Sequence, residues 1–162
     1  MQQIEITNQL ELTDVSTVPT AGRIVALDPG TKRVGVATCD ELRITTRPLE
    51  YITRTSWKKL LLAVKDIIAE LDAKALVIGL PLTSEGGESP MSAEARSMAR
   101  RFSLSLGVPV YLQDERVTSY EAKSRLWQRG IGVEKSRSQV DSEAAAIILS
   151  DFLDRLKRPE SP

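Results

Sequence analysis

Arg23-Ile-Val-Ala-Leu-Asp28-Pro-Gly-Thr-Lys-Arg-Val-Gly-Val-Ala37 is the stretch that decides the fold. Ile24 to Leu27 form an apolar run ended by an acid, Pro29-Gly30-Thr31-Lys32 supply turn chemistry, and Val34 to Thr38 make a second apolar run. The pattern predicts two strands joined by a tight turn, the second returning beside the first. Asp28 then stands where the backbone leaves the core. A carboxylate there can face solvent, bind a cation or hold a nucleophile, whereas mid-strand it would carry a heavy desolvation cost. Taken alone, it can equally cap its own turn.

On the N-terminal side, residues 1–21 mix polar and β-branched types and read as an extension ahead of the domain, its order left open by the sequence. On the C-terminal side, residues 43–53 hold a third strand around Leu49 to Ile52. Residues 56–71 carry Trp57, Leu60, Leu61, Val64, Ile67, Ile68 and Leu71 at helical spacing. Ala75 to Pro81 reads as a buried parallel strand that breaks at its end. A Gly- and Ser-rich loop follows, placed where it could gate a site, and Pro90 suits the first position of a helix running to Leu106. Val108 to Leu112 is a short strand ending at Asp114-Glu115-Arg116. Thr118-Ser-Tyr-Glu121 has capping-box spacing and opens a helix to Arg129. Gly130 to Gln139 reads as a mobile basic linker, and Val140 to Lys157 as the last helix, with Asp141 opening it. The order implies one α/β domain over residues 22–157, a mixed sheet with helices on both faces, and a short tail at 158–162.

The 162 residues suffice for one domain that buries roughly two-thirds of its unfolded surface. Twenty-two basic residues balance 22 acidic ones, which argues against a broad, non-specific DNA binder and leaves room for a local basic patch. The chain has no histidine. That removes Ser-His-Asp triads, Cys-His pairs and the usual zinc sites, so carboxylates, lysines, arginines and hydroxyls must carry any chemistry. A metal would be a hard, oxygen-bound one, Mg²⁺ or Mn²⁺. Cys39, the single cysteine, reads as a small core residue. No apolar stretch is long enough for a membrane span and no secretory pattern opens the chain, so a cytoplasmic location is expected.

Ligands of open α/β sheets gather outside the carboxyl ends of the parallel strands. Asp28, the Gly79-Leu80-Pro81 break and Asp114-Glu115 share that edge. Asp141 joins them if the last helix packs on the hairpin, since positions 141, 145, 148 and 152 lie on one helical face. Each acid has a plainer reading: Asp141 as a first-turn acid favoured by the helix dipole, Glu115 as half of a surface ion pair with Arg116, and Arg96, Arg100 and Arg101 as a solvated helix face. Joint placement favours a site. Clustered carboxylates persist near neutral pH only if a cation neutralises them or one stays protonated. Such a cluster can hold Mg²⁺ or Mn²⁺ for displacement at a phosphodiester, with Asp28 bridging and Glu115 and Asp141 on the flanks. Lys32, Arg33, Arg116, Lys135 and Arg137 would then neutralise substrate phosphates.

Four motifs occur in order: Asp28-Pro-Gly-Thr-Lys-Arg-Val-Gly-Val-Ala37, Val77-Ile-Gly-Leu-Pro-Leu82, Asp114-Glu-Arg-Val-Thr118 and Val140-Asp-Ser142. Together they resemble the YqgF family, also called RuvX, of Holliday-junction resolvases and pre-16S ribosomal RNA nucleases, over about residues 22–155. The resemblance implies an RNase H-like three-layer fold on a five-stranded mixed sheet, an antiparallel meander followed by parallel strands. It further implies a bacterial cytoplasmic enzyme that cleaves nucleic acid near the 5′ end of the small-subunit rRNA precursor, with the family's acids matching Asp28, Glu115 and Asp141. Val117 stands where leucine is frequent in the family, and Asp114 is the one candidate for a fourth acid. Two other readings start from the same residues. The hairpin also looks like the phosphate-binding turn of actin-like ATPases and sugar kinases, which pair two such domains. A non-catalytic RNA-binding module on this fold is the other, and branched DNA stands beside RNA as a substrate. The sequence leaves a monomer and a homodimer equally open.

Overall fold

The computed structural model describes residues 14–115 and 133–157, and of the last helix the side chains from Ser142 onward. Five strands form one sheet in the order β3-β2-β1-β4-β5: β1 (Ile24–Pro29), β2 (Arg33–Cys39), β3 (Thr46–Thr53), β4 (Ala75–Leu80) and β5 (Val110–Asp114). β1, β2 and β3 pair antiparallel as a meander, while β4 and β5 run parallel to β1. Three helices complete the described part: α1 (Trp57–Leu71), α2 (Pro90–Ser105) and α3 (Val133–Lys157). The helix expected at 118–129 lies outside the described residues.

The hairpin that opens the sheet depends on Gly30. Its amide donates to Arg33 O at 3.0 Å, and a Cβ at this position would lie 2.4 Å from the same oxygen. Any side chain there would force the turn apart. β3 begins at Thr46, earlier than the run around Leu49 suggests, and it tolerates Pro48 because it is an edge strand with a free amide side. β5 is Val110–Asp114, two residues later than the apolar pattern predicts, because it pairs along β4 as far as Leu80↔Asp114.

Alternation along the strands divides the core in two. Val25, Leu27, Val34, Val36, Leu76, Ile78, Leu80 and Leu112 face α1 and α2, where Leu60, Val64, Met98 and Phe102 close over them. Ile24, Ala26, Cys39, Ala75, Val77 and Tyr111 face α3, against Ile148, Leu149, Phe152 and Leu153. Cys39 is a core residue, and burial pushes its thiol pKa up. Residues 14–22, ahead of the hairpin, pack on the α3 side. Val18 is buried in that cluster, and the Thr17 and Tyr111 hydroxyls lie 3.0 Å apart.

Several polar segments are more tightly held than their composition predicts. Ser56 caps α1 by accepting from Lys59 N, and Ser89 and Ser92 form a reciprocal capping box with Pro90 opening α2. Residues 83–87 are knitted by Thr83 N–H to Gly87 O (3.0 Å) and Gly87 N–H to Thr83 Oγ1 (2.8 Å). Two of the arginines expected on a solvated face are engaged. Both Nε and Nη2 of Arg96 donate to Glu88 Oε1, and the Arg101 guanidinium stacks 4.0 Å over Trp57, itself packed on Phe102.

Candidate active site

Asp28 is the fifth residue of β1 and pairs with Gly35 across β2. Ile24 and Ala26 face α3, so alternation turns Asp28 to the same side, half-buried at the strand's carboxyl end. β4 continues the row: beyond Leu27↔Ile78, the register sets Asp28 beside Gly79. Asp28 therefore stands between two glycines. At Gly79 the missing side chain admits α3, because a Cβ there would lie 2.4 Å from Ile148 Cδ1.

Glu115 follows β5 directly. Its amide donates to Leu80 O at 2.9 Å, which extends the β4–β5 pairing by one residue. Tyr111 faces α3, and Gln113 does too, since its Oε1 accepts from Arg155 of α3 at 3.4 Å. Two residues on, Glu115 belongs to that side as well, half-buried with its Oε2 shielded from solvent. Asp114 alternates to the opposite face with Leu112 and so does not supply a fourth acid to this group.

α3 runs over this surface with its earlier part at the acidic end. Ala145 and Ala146 lie on Ala37, and Ile148 lies on Gly79. The anchor is Ser142: Val36 N–H donates to its Oγ at 3.3 Å, and Val36 is the register partner of Leu27, the residue before Asp28. Asp141, one residue earlier, is thereby carried on backbone that crosses the strand pair at the level of Asp28. Its side chain lies outside the described residues.

The structure corrects two expectations here. α3 begins at Val133, seven residues before the apolar stripe, so the segment holding Lys135 and Arg137 is helical rather than a mobile linker. Asp141 consequently lies more than two turns inside the helix, beyond the reach of a first-turn dipole effect. Lys32 and Arg33 sit at the hairpin end nearest Asp28, with the Arg33 guanidinium 5.2 Å from the centre of the Tyr51 ring. Arg116 lies outside the described residues.

Sequence reasoning missed the parts played by Ser142, Gly79 and Gly35. No periodic signal marked Ser142, which the sequence sets between two acids, Asp141 and Glu143, ahead of the run Ala144 to Leu149; both Ser142 and Glu143 are buried. A separate cavity of about 360 Å³, lined by Val15, Val18, Leu42, Arg43, Leu153 and Lys157 among others, opens at the far end of α3, away from the acids. Among the described residues no helix is long and apolar enough to cross a membrane.

A mixed sheet of order 3-2-1-4-5, helices on both faces and acids at the carboxyl end of the first strand define the RNase H-like class. Two solved structures share that fold: T. thermophilus RuvC in complex with Holliday junction substrate (TM-score 0.53, 18% identity, 84% of this chain and 96% of that one) and the Fowlpox virus resolvase with Holliday junction DNA (TM-score 0.55, 12% identity, 84% and 99%). The family model described as RuvX, Holliday junction resolvase, matches residues 22–155. The chain is 41% identical over 133 residues to the "Putative pre-16S rRNA nuclease" of Anaeromyxobacter dehalogenans (strain 2CP-1), covering 82% of this chain and 97% of the relative. The same name applies to a Syntrophus aciditrophicus (strain SB) protein, 37% identical over 140 residues, with 86% and 93% covered. The chain belongs to the RuvX family.

Proposed function

We propose that this chain is a metal-dependent nuclease of structured RNA, cleaving phosphodiester bonds in the 5′ region of the small-subunit rRNA precursor. One observation carries the reading: Asp28 and Glu115 stand on the same side of the same sheet edge, while Ser142 pins the backbone next to Asp141 over that edge. The relatives' name supports RNA as the substrate class.

The donor set fits a hard divalent ion. All three residues are carboxylates, no histidine competes, and Glu115 already holds an oxygen out of bulk water. Asp28, Glu115 and Asp141 would hold Mg²⁺ or Mn²⁺, which when bound lowers the pKa of water and stabilises charge on the attacked phosphate. The protein's own part is positional. The strand ends fix Asp28 and Glu115 on a rigid sheet, and Lys32, Arg33 and Arg116 neutralise the phosphates on either side of the bond that breaks. Lys135 and Arg137, carried on the helix that leads into Asp141, extend that positive track. The catalytic unit is residues 22–157.

The deciding experiment offers precursor rRNA, single-stranded RNA and a four-way DNA junction to the wild-type protein and to Asp28→Asn, each with Mn²⁺. The expected result is cleavage of precursor rRNA that the variant loses. Preferential cutting of the junction would reassign the substrate, and an Asp28→Asn variant as active as wild type would remove the site.

A further inference from the structure

β3 carries one extra residue next to the acidic end of the sheet. Its register with β2 runs Arg33↔Thr53 and Val34↔Ile52, then shifts to Val36↔Leu49, so Glu50 and Tyr51 together oppose Gly35. Gly35 is in turn the partner of Asp28. Bulges of this kind re-aim side chains, and they recur beside active sites.

The direction is set by the neighbours. Leu49 and Ile52 both pack into the α1–α2 core, so the two bulged residues between them are turned to the α3 face, the face of Asp28. Tyr51 is half-exposed, with Arg33 from the hairpin end stacked over its ring at 5.2 Å. Arg54, three residues on, braces the hairpin turn from the α2 side, donating from Nη1 to Gly30 O at 3.0 Å and pairing with Glu94 of α2. A flat aromatic surface bearing the Arg33 guanidinium thus lies two strands from Asp28, roughly 10 Å at ordinary strand spacing. That is the span of one or two nucleotides of an extended chain.

We propose that Tyr51, with Arg33 stacked on it, is a base-stacking subsite for an unpaired nucleotide adjacent to the phosphate held at Asp28. This rests on the nuclease reading above and narrows its substrate to RNA whose strand is open beside the cleaved bond. Aromatic rings accept any base face, but only a base not already stacked in a helix is available to them. Arg33 adds cation–π attraction and brings charge to the backbone. Glu50 stands exposed on the same face, which disfavours a duplex bringing a second row of phosphates across β3.

The test measures binding in an Asp28→Asn background, so that cleavage does not interfere, using a single-stranded oligoribonucleotide, the same sequence as a duplex, and the single strand with one abasic nucleotide. Adding Tyr51→Ala should weaken single-strand binding about 5- to 150-fold, the worth of one base–aromatic stack, and leave the duplex unchanged. Tyr51→Phe should restore the affinity. Tyr51→Leu, which keeps the bulk but has no ring, should not, and it covers the case in which alanine disturbs the bulge. The abasic strand should bind the parent and Tyr51→Ala alike when the missing base is the stacked one. Equal affinity of parent and Tyr51→Ala for the intact single strand, or equal loss on strand and duplex, would overturn the subsite. Cleavage by the Asp28→Asn parent itself would instead overturn the Asp28 site on which the underlying nuclease reading rests.

Discussion

The two faces of this one sheet are built from alternate residues of the same strands, yet they do opposite work. Toward α1 and α2 the strands present Leu27, Val34, Val36, Ile78, Leu80 and Leu112, large side chains that meet Leu60, Met98 and Phe102 and leave the face closed. Toward α3 they present Ile24, Val77 and Tyr111 as well, but also a run of small residues, Ala26, Gly35, Ala37 and Gly79, which the helix answers with Ala145 and Ala146. Small residues let α3 lie close to the sheet. Close approach is what puts the Asp141 backbone at the level of Asp28, so the small residues of this face set the helix over the acidic end, while the closed face serves the fold alone.

The largest separation between the faces should come from pairing Asp28→Asn with Phe102→Ala. Asp28→Asn should lower metal-supported cleavage by more than the roughly 10- to 100-fold that follows loss of an outer partner of a metal site. Its melting temperature should stay equal or rise, since one of several clustered negative charges is gone. Phe102→Ala should cost about 3–5 kcal/mol of stability, because a fully buried ring is removed from against Trp57, while cleavage per folded molecule is retained. Denaturant unfolding alongside a cleavage assay reads both. A Phe102→Ala protein that folds but does not cut would show that the closed face shapes the site after all.

How much of this was legible in the sequence differs between the faces in the same way. Strands and helices that bury one stripe announced themselves through period: the hairpin, α1 and α2 lie where apolar spacing, turn residues and Pro90 put them. The acids could be assigned to one edge because the ends of parallel strands share it. Hidden were features with no periodic signature. Residues 133–139, Val-Glu-Lys-Ser-Arg-Ser-Gln, look like a linker because nothing in them marks a buried face, yet they form the first two turns of α3. The bulge at Glu50 and Tyr51 is a register event, fixed by pairing with β2 rather than by the residues themselves. Gly35 and Gly79 read as ordinary strand glycines until the helix that needs Gly79 empty is placed.

Gly79→Ala sharpens the comparison from the other side. The new methyl would meet Ile148 Cδ1 at 2.4 Å and Cγ1 at 3.1 Å, so α3 must shift or Ile148 must change rotamer. Overpacking of this kind costs about 1–3 kcal/mol. Unlike Phe102→Ala, it should depress cleavage more than its stability loss explains, because it lifts the helix at the site. Removing the offending methyl with Ile148→Val should recover part of both, giving a double variant less impaired than the two single changes add up to. Strict additivity would mean that helix and strand are not coupled through this contact.

The smallest effect belongs to the rim of the closed face, where Glu88 accepts from Arg96 through Oε1 and from Ser92 Oγ through Oε2 at 2.5 Å. The Arg96 guanidinium, with help from the Ser92 hydroxyl, holds the Glu88 carboxyl below the usual glutamate pKa. A carboxyl whose pKa is lower folded than unfolded stabilises the fold at all pH values above the unfolded pKa, and the contribution fades as pH falls through the folded one. Exposed pairs contribute little, so the loss should show only as a slightly earlier acid transition. Arg96→Gln should shrink that acid-side dependence, leaving only the part due to Ser92, and leave neutral-pH cleavage untouched, since Arg96 stands on α2, on the side of the sheet turned from Asp28. Acid titrations of both proteins, followed by far-UV circular dichroism, read the difference. Coincident curves would mean that the Glu88 network does not outlast thermal motion, and a change in cleavage would mean that the two faces communicate through α2.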